Sequence, residues 1–210
     1  MLAVRRLVLT LALTVPCVLA APAAAAVPTI VVGDSLAVGT KPYLGSLLPG
    51  YPLTWDVRNG RTTPEGMRAL RAKLREVQPG AVVVSLGSND GPDPARFADR
   101  MRRILAAIPP SSCVIWPSIV RPDRKGDETG LNRVLRRMAA ADDRLTLIDW
   151  QGAVQRGAVI LPDGLHPDPA GYQRRSQMIA TALQRNCAAP DTGTDTPSAP
   201  AEGGVPAPSS

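Results

Sequence analysis

The sequence predicts an α/β fold in which a five-stranded parallel sheet is covered on both faces by helices. Five short apolar runs alternate with stretches of helical periodicity. The runs are nearly continuous rather than alternating in polarity, which is typical of strands buried on both faces of a parallel sheet. They lie at residues 29–32, 53–57, 81–86, 114–116 with flanks, and 145–148.

Four stretches between and after these runs predict amphipathic helices. Thr62 and Glu65 have capping-box spacing before the first. An Asp-Pro pair opens the second and another opens the fourth, as expected at a helix start. We assign the apolar stripes to the core: Met67, Leu70, Leu74 and Val77; Phe97, Met101, Ile104, Leu105 and Ile108; Leu131, Val134, Leu135 and Met138; Tyr172, Ile179 and Leu183.

The first 26 residues have the pattern of a secretory signal peptide. Arg5 and Arg6 precede an apolar run over residues 7–20, and small residues at 24–26 offer a cleavage site. The run is shorter than the roughly 20 residues that a membrane span needs, which argues against an anchor. A lipoprotein site at Cys17 is the other alternative, and the preceding Pro16 argues against it. We therefore expect an exported protein without stable membrane insertion after signal removal.

The last 23 residues, 188–210, predict a disordered tail. They are Pro, Ala, Gly, Ser, Thr and acidic residues, with one Val as the only large apolar side chain. Such a segment cannot bury enough surface to offset its ordering entropy. Residues 27–187 remain, and their length fits one domain.

The chain is basic, with a formal net charge of +6, and residues 27–187 alone carry +7. Such a surface attracts anionic partners, and with an export signal an anionic envelope polymer or lipid headgroup is favoured. Nucleic acid is disfavoured because only 3% of residues are aromatic. We interpret the helix arginines as a solvated outer face, with a binding patch as the alternative: Arg68, Arg71, Arg75, Arg102, Arg103, Arg133, Arg136 and Arg137.

Two cysteines, Cys113 and Cys187, remain after signal removal and predict one disulfide in an exported protein. Cys113 precedes the fourth strand, at the amino edge of the sheet. Cys187 follows the final helix, which should run antiparallel to the strands and end at that edge. Two buried free thiols are the alternative. A metal site is not expected, because two thiols and the only histidine form no spaced ligand cluster.

Polar groups follow four of the five predicted strands. The carboxyl ends of parallel strands meet at one edge, where ligands bind in such sheets, so these groups can converge. They are Gly33-Asp34-Ser35-Leu36, Asn59-Gly60-Arg61, Gly87-Ser88-Asn89-Asp90 and, past a loop, Asp163-Gly164-Leu165-His166.

Each group offers a function that acyl transfer requires. Ser35 is a hydroxyl at a strand-to-helix turn, His166 can shuttle its proton, and Asp163 can orient the imidazole. Asn89, the Gly60 N–H and the Ser35 N–H can surround a developing oxyanion. Taken singly, these residues have ordinary alternatives, namely turn chemistry for Ser35, a surface position for His166, and loop geometry for Gly60 and Asn89.

Together the four blocks resemble the SGNH hydrolases, also called the GDSL family. That family has a Ser in a Gly-Asp-Ser-Leu block, a Gly, an Asn in a Gly-x-Asn-Asp block and a His in an Asp-x-x-His block. The matching segments are VVGDSLAVG, RNGRT, LGSND and LPDGLHPD, in the same order. The resemblance implies a flavodoxin-like three-layer α/β/α sandwich. It also implies Ser35 as nucleophile, His166 as base, Asp163 as its orienter, and Ser35, Gly60 and Asn89 as the oxyanion hole.

The expected function is ester hydrolysis through an acyl-enzyme, with no metal or organic cofactor. A transferase that passes the acyl group to a sugar hydroxyl is one alternative, and a non-catalytic glycan-binding module is a weaker one. The domain has no obvious insertion for a lid, so we expect an open site that favours short acyl groups or acyl decorations on a polymer. Trp116, Trp150 and Arg61 either line this site, serve structural packing or lie at the surface.

Overall fold

Five parallel strands form the centre of the computed structural model, which describes residues 26–121 and 127–187. The strands are β1 (Thr29–Gly33), β2 (Leu53–Val57), β3 (Ala81–Ser85), β4 (Cys113–Pro117) and β5 (Leu145–Ile148). Their order across the sheet is β2-β1-β3-β4-β5. In register, Gly33 of β1 lies beside Val57 of β2 and Ser85 of β3, so these three strands end together. The predicted parallel α/β sheet is confirmed.

In the described part of the chain, six α-helices connect and cover the strands. They are α1 (Ser35–Leu44), α2 (Thr63–Glu76), α3 (Pro94–Ala107), α4 (Asp127–Ala139), α5 (Trp150–Gln155) and α6 (Pro169–Asn186). The predicted start signals are present, since Glu65 Oε2 accepts from the Thr62 backbone N–H at 2.9 Å. Asp93 and Asp168 are the N-caps of α3 and α6. The stretch after β5 was expected to be a loop, and it contains the short helix α5.

The two faces of the sheet have separate apolar cores. Val32, Val84 and Trp116 point to the face covered by α2, α3 and α4. Their neighbours Val31, Val83 and Ile115 point to the other face, where side chains of α1 and α6 pack. The result is a three-layer α/β/α sandwich whose central strands are buried on both faces, as predicted.

Burial of every strand on both faces was too broad an expectation. All five residues of β2 are half-buried. The strand lies at the edge of the sheet, so only one of its sides is paired. β5 lies at the opposite edge, and Thr146 and Leu147 are also half-buried.

A disulfide joins Cys113 at the start of β4 to Cys187 at the C-terminal end of α6, with 5.6 Å between the Cα atoms. This agrees with the expectation that α6 returns the chain to the amino edge of the sheet. The predicted signal segment, apart from Ala26, and the predicted tail lie outside the described residues. Within residues 26–121 and 127–187, none of the helices combines the length and the apolar composition that a membrane span requires.

Candidate functional site

The four polar blocks meet at the carboxyl edge of the sheet. The chain passes from β1 to β2 on one side and returns to β3 on the other, so a topological switch point lies between β1 and β3. A cleft of about 470 Å³, open to solvent, lies there. Its lining includes Ser35, Gly60, Asn89 and His166. These four residues are 25 to 131 positions apart in sequence, yet they share one cleft.

Ser35 is the first residue of α1, directly after the turn that leaves β1. The side chain of Asp34 caps this helix and accepts from the Leu36 backbone N–H at 3.0 Å. Gly33 permits the tight turn, because a Cβ there would lie 2.4 Å from the Cβ of Ala37. The hydroxyl is therefore held at a helix N-terminus, half-buried beside the cleft.

A hydrogen-bonded chain connects Ser35, His166 and Asp163. Ser35 Oγ lies 2.8 Å from His166 Nε2, and His166 Nδ1 lies 2.7 Å from Asp163 Oδ2. The hydrogen bond with the His166 ring holds the pKa of Asp163 well below its ordinary value, and the backbone N–H groups of His166 and Leu165 add to this. An ionised Asp163 accepts a hydrogen bond from the Nδ1–H group, and Nε2 is then free to accept a hydrogen bond from the Ser35 hydroxyl.

The side chain of Asp163 is 58% exposed, so hydrogen bonds within its own turn, rather than packing, hold it in place. Its Oδ1 accepts from the backbone N–H groups of Leu165 at 2.9 Å and His166 at 2.7 Å. Gly164 between them has φ +82°, a left-handed conformation that favours glycine. The turn thereby fixes the carboxylate against the imidazole without burying it.

Three potential donors face the cleft. Neither the Ser35 N–H nor the Gly60 N–H has an acceptor within the described part of the chain. Gly60 has φ +69° and no atom near the position of a Cβ, so its backbone is accessible. Asn89 Nδ2 donates to the Arg61 carbonyl at 3.2 Å and, more weakly, to Asp34 Oδ2 at 3.4 Å.

A buried ionic group lies beneath the nucleophile. Burial raises the pKa of Asp34 to about 6, while the nearby charge of Arg175 and hydrogen bonds from Leu36 and Ser88 oppose that rise. Burial lowers the pKa of Arg175 to about 10. Arg175 Nη2 donates to Ser85 Oγ at 3.0 Å, and its guanidinium lies 4.8 Å from the Trp150 ring centroid. No local signal in the sequence distinguishes Arg175 from its neighbour Arg174.

Trp116, Trp150 and Arg61 do not line the cleft, which decides the alternative left open from sequence. Both indoles are fully buried, and the Trp116 Nε1–H donates to the Leu86 carbonyl at 3.0 Å. Arg61 is 7% exposed, and its Nη2 donates to Asp56 Oδ1 at 2.6 Å. It ties the loop that carries Gly60 to the end of β2.

Tyr172 was assigned to the core stripe of the last helix, yet it also lines the cleft. Its ring packs directly on Gly39, where a Cβ would lie 2.1 Å from Cζ.

Among the described residues, no three His, Cys, Asp or Glu side chains cluster as a metal site requires.

The sheet, its switch point and the serine, histidine and aspartate beside it are those of an SGNH-type serine hydrolase. The family model described as GDSL-like Lipase/Acylhydrolase matches residues 31–174, more than half of the chain. The protein therefore belongs to the GDSL-like lipase/acylhydrolase family.

Solved structures share this fold. The C-terminal catalytic domain of peptidoglycan O-acetyltransferase A from Streptococcus pneumoniae is 24% identical, with a TM-score of 0.64 over 77% of this chain and 95% of that one. A lipase/acylhydrolase from Enterococcus faecalis is 20% identical, with a TM-score of 0.65 over 75% of this chain and 95% of that one. An acetyl xylan esterase is 15% identical, with a TM-score of 0.64 over 75% of this chain and all of that one. No curated protein sequence matched the chain.

Proposed function

We propose that this protein is a secreted serine esterase that hydrolyses carboxylic esters through an acyl-enzyme on Ser35. The observation that carries the proposal is the hydrogen-bonded chain from Ser35 Oγ through His166 to Asp163, with distances of 2.8 Å and 2.7 Å. A serine hydroxyl is a weak nucleophile, and an adjacent base held by a third group is the usual means of activating it.

The reaction has two halves. His166 Nε2 takes the Ser35 proton while Oγ attacks the ester carbonyl, and the ionised Asp163 stabilises the imidazolium that forms. The imidazolium then gives this proton to the alcohol oxygen, the ester C–O bond breaks, and the acyl group stays on Ser35. Water, deprotonated by the same imidazole, attacks the acyl-enzyme, and Oγ leaves with the proton as the acid is released.

The oxyanion of each tetrahedral intermediate is proposed to bind the N–H groups of Ser35 and Gly60 and the amide of Asn89. Two of these donors, the N–H groups of Ser35 and Gly60, have no acceptor in the described chain. The Asn89 amide donates to the Arg61 carbonyl at 3.2 Å and to Asp34 Oδ2 at 3.4 Å, and it would exchange one of these bonds for the oxyanion. Preorganised donors of this kind are typically the largest electrostatic contribution to acyl transfer.

The proposed substrates carry short acyl groups, either on small alcohols or as decorations on a glycan. The cleft is open to solvent and borders only a few apolar side chains, such as Val38 and Leu165, so it offers little surface for a long chain. Export is supported by the N-terminal sequence and by the Cys113–Cys187 disulfide, a bond that persists in oxidising compartments.

Acyl transfer to a sugar hydroxyl is the second candidate. It uses the same acyl-enzyme, and one protein of the same fold is named a peptidoglycan O-acetyltransferase. An open cleft admits either acceptor, water or a sugar hydroxyl. A dependence of product formation on added glycan would favour the transferase.

A panel of nitrophenyl esters from acetyl to palmitoyl, run beside acetylated polysaccharides, tests the proposal. We expect the highest kcat/KM on acetyl and other short esters, and loss of hydrolysis in Ser35→Ala and His166→Ala by on the order of 10³ or more. Circular dichroism of the variants controls for folding. Near wild-type turnover in either folded variant would contradict the assignment.

A further inference from the structure

A second cavity, about 590 Å³ in volume, lies between α2 and α3, outside the catalytic cleft. Arg71 of α2 and Arg96, Arg100 and Arg103 of α3 line its walls, and Pro64 and Met67 contribute apolar surface. We call this cavity the arginine groove. Four guanidinium groups around one cavity distinguish it from an evenly solvated helix surface.

The carboxylates near the groove hold its arginines only weakly, so their positive charge remains available to an anionic ligand. Asp99, which also lines the groove, lies 2.8 Å from Arg103 and 3.5 Å from Arg102. Arg96 lies 3.3 Å from Asp93 at its N-cap, and both side chains are at least 49% exposed. Ion pairs this exposed are weak, so an anionic ligand can replace them.

The remaining two arginines have different surroundings. Arg100 lies 3.1 Å from the fully buried Asp90, which fixes its position in the wall. Arg71 has no carboxylate partner in the described residues. Arg71 is therefore available to a ligand without any exchange of partners.

The groove begins next to the catalytic cleft. Thr63, at its near end, donates its backbone N–H to Asp90 Oδ1 at 2.9 Å, and Asp90 follows Asn89 of the cleft. Gly60 of the cleft and Thr63 are three residues apart, so their Cα atoms lie within about 11 Å of each other. A chain molecule with its ester at Ser35 can therefore reach the groove.

We propose that the arginine groove binds the anionic groups of a glycan chain that carries the hydrolysed ester. The proposal rests on the esterase function proposed above and names its substrate class. Arginine pairs with carboxylate or phosphate groups through two parallel hydrogen bonds. Pro64, Met67 and Ala95 offer apolar contact to the faces of sugar rings.

The groove does not suit the other anionic polymers and surfaces. It contains no aromatic side chain on which a nucleic-acid base could stack. A lipid surface is approached through exposed apolar side chains. The large ones in the described chain are Val38 and Ile160, neither of which borders the groove.

Binding of the full chain to polygalacturonate, a polysaccharide of carboxylated sugars, tests the proposal. The test variant changes Arg71, Arg96 and Arg103 to Gln together. The control variant changes the exposed Arg133, Arg136 and Arg137 of α4 to Gln, which removes the same charge outside the groove. We expect a dissociation constant at least about tenfold higher in the groove variant and less than about twofold higher in the control. Neutral dextran should not bind.

Equal losses in the two triple variants would overturn the proposal, because they would show a general effect of net charge. Dextran binding as tight as polygalacturonate would also overturn it. Tighter binding to phosphatidylglycerol vesicles than to polygalacturonate, lost only in the groove variant, would assign the groove to a lipid surface instead. Hydrolysis of nitrophenyl acetate by the wild type judges the esterase separately, since that substrate has no group to reach the groove.

Discussion

Asn89 donates from its side-chain amide to the buried carboxylate of Asp34, with 3.4 Å between Nδ2 and Oδ2. The other oxygen of Asp34 accepts from the Leu36 N–H at the start of α1. One carboxylate thus connects the helix that presents Ser35 to the loop that presents Asn89. The protonation state of Asp34 therefore affects the positions of both Ser35 and Asn89.

The Asp34→Asn variant should show how this carboxyl couples stability to pH. Burial raises the pKa of Asp34 from 3.8 to about 6, so the native state holds the proton more tightly than the unfolded state. Its contribution to stability is fully present below about pH 4 and is lost as pH rises through about 6. The free energy of unfolding of the wild type, relative to Asp34→Asn, should fall by about 2 kcal/mol between pH 4 and pH 7.

Urea unfolding of both proteins at pH 4, 5, 6 and 7 measures this difference. Asparagine is an equally good N-cap, so the comparison isolates the titration of the carboxyl. A difference that stays constant or rises with pH contradicts the assignment of a raised pKa to Asp34.

Asn89→Ala should lower kcat far more than it raises KM. The amide is proposed to meet the oxyanion mainly in the transition state, where one such donor contributes about 3 kcal/mol, or 10²–10³ in rate. Steady-state kinetics on nitrophenyl acetate measures both constants. The matched control is Asn59→Ala, since Asn59 also lines the cleft and has no proposed oxyanion contact. A raised KM with unchanged kcat would place Asn89 in substrate binding instead.

Replacing Cys113 and Cys187 by Ser should lower stability without changing the chemistry. The bond closes a loop between residues 74 positions apart, which corresponds to about 4 kcal/mol on the chain-entropy model. The bond lies at the amino edge of the sheet, where β4 begins and α6 ends, on the side opposite the cleft. We therefore expect a lower Tm in calorimetry and an unchanged kcat/KM at temperatures where the variant is folded. Two free thiols in the protein purified without reductant would rule the bond out.

The sequence predicted the elements whose signals are local. Asp-Pro pairs and the Thr62–Glu65 box mark the starts of α2, α3 and α6, because N-caps act within one turn. Helix α1 lacks a clear apolar stripe and contains Pro42, so the helical periodicity of its sequence was weak. The four polar blocks were identifiable because three of them directly follow a strand, the fourth comes after β5 and α5, and parallel strands end at one edge.

Arg175 could not be identified from sequence. Its neighbour Arg174 is exposed, whereas Arg175 is 2% exposed under Asp34 and Trp150. Two arginines in succession on a helix carry no local signal that separates them. Only the packing of α6 against the sheet decides which one is buried. The arginine groove could not be identified from sequence either, because side chains of two helices form it together.

Labelling with a fluorophosphonate tests the central claim most directly, because such reagents phosphonylate an activated serine. Peptide mass spectrometry then locates the adduct. We predict one adduct, on Ser35, absent in Ser35→Ala and formed at least about 10³-fold more slowly in His166→Ala. An adduct on another residue, or labelling of His166→Ala at the wild-type rate, would contradict the assignment of Ser35 as nucleophile and His166 as its base.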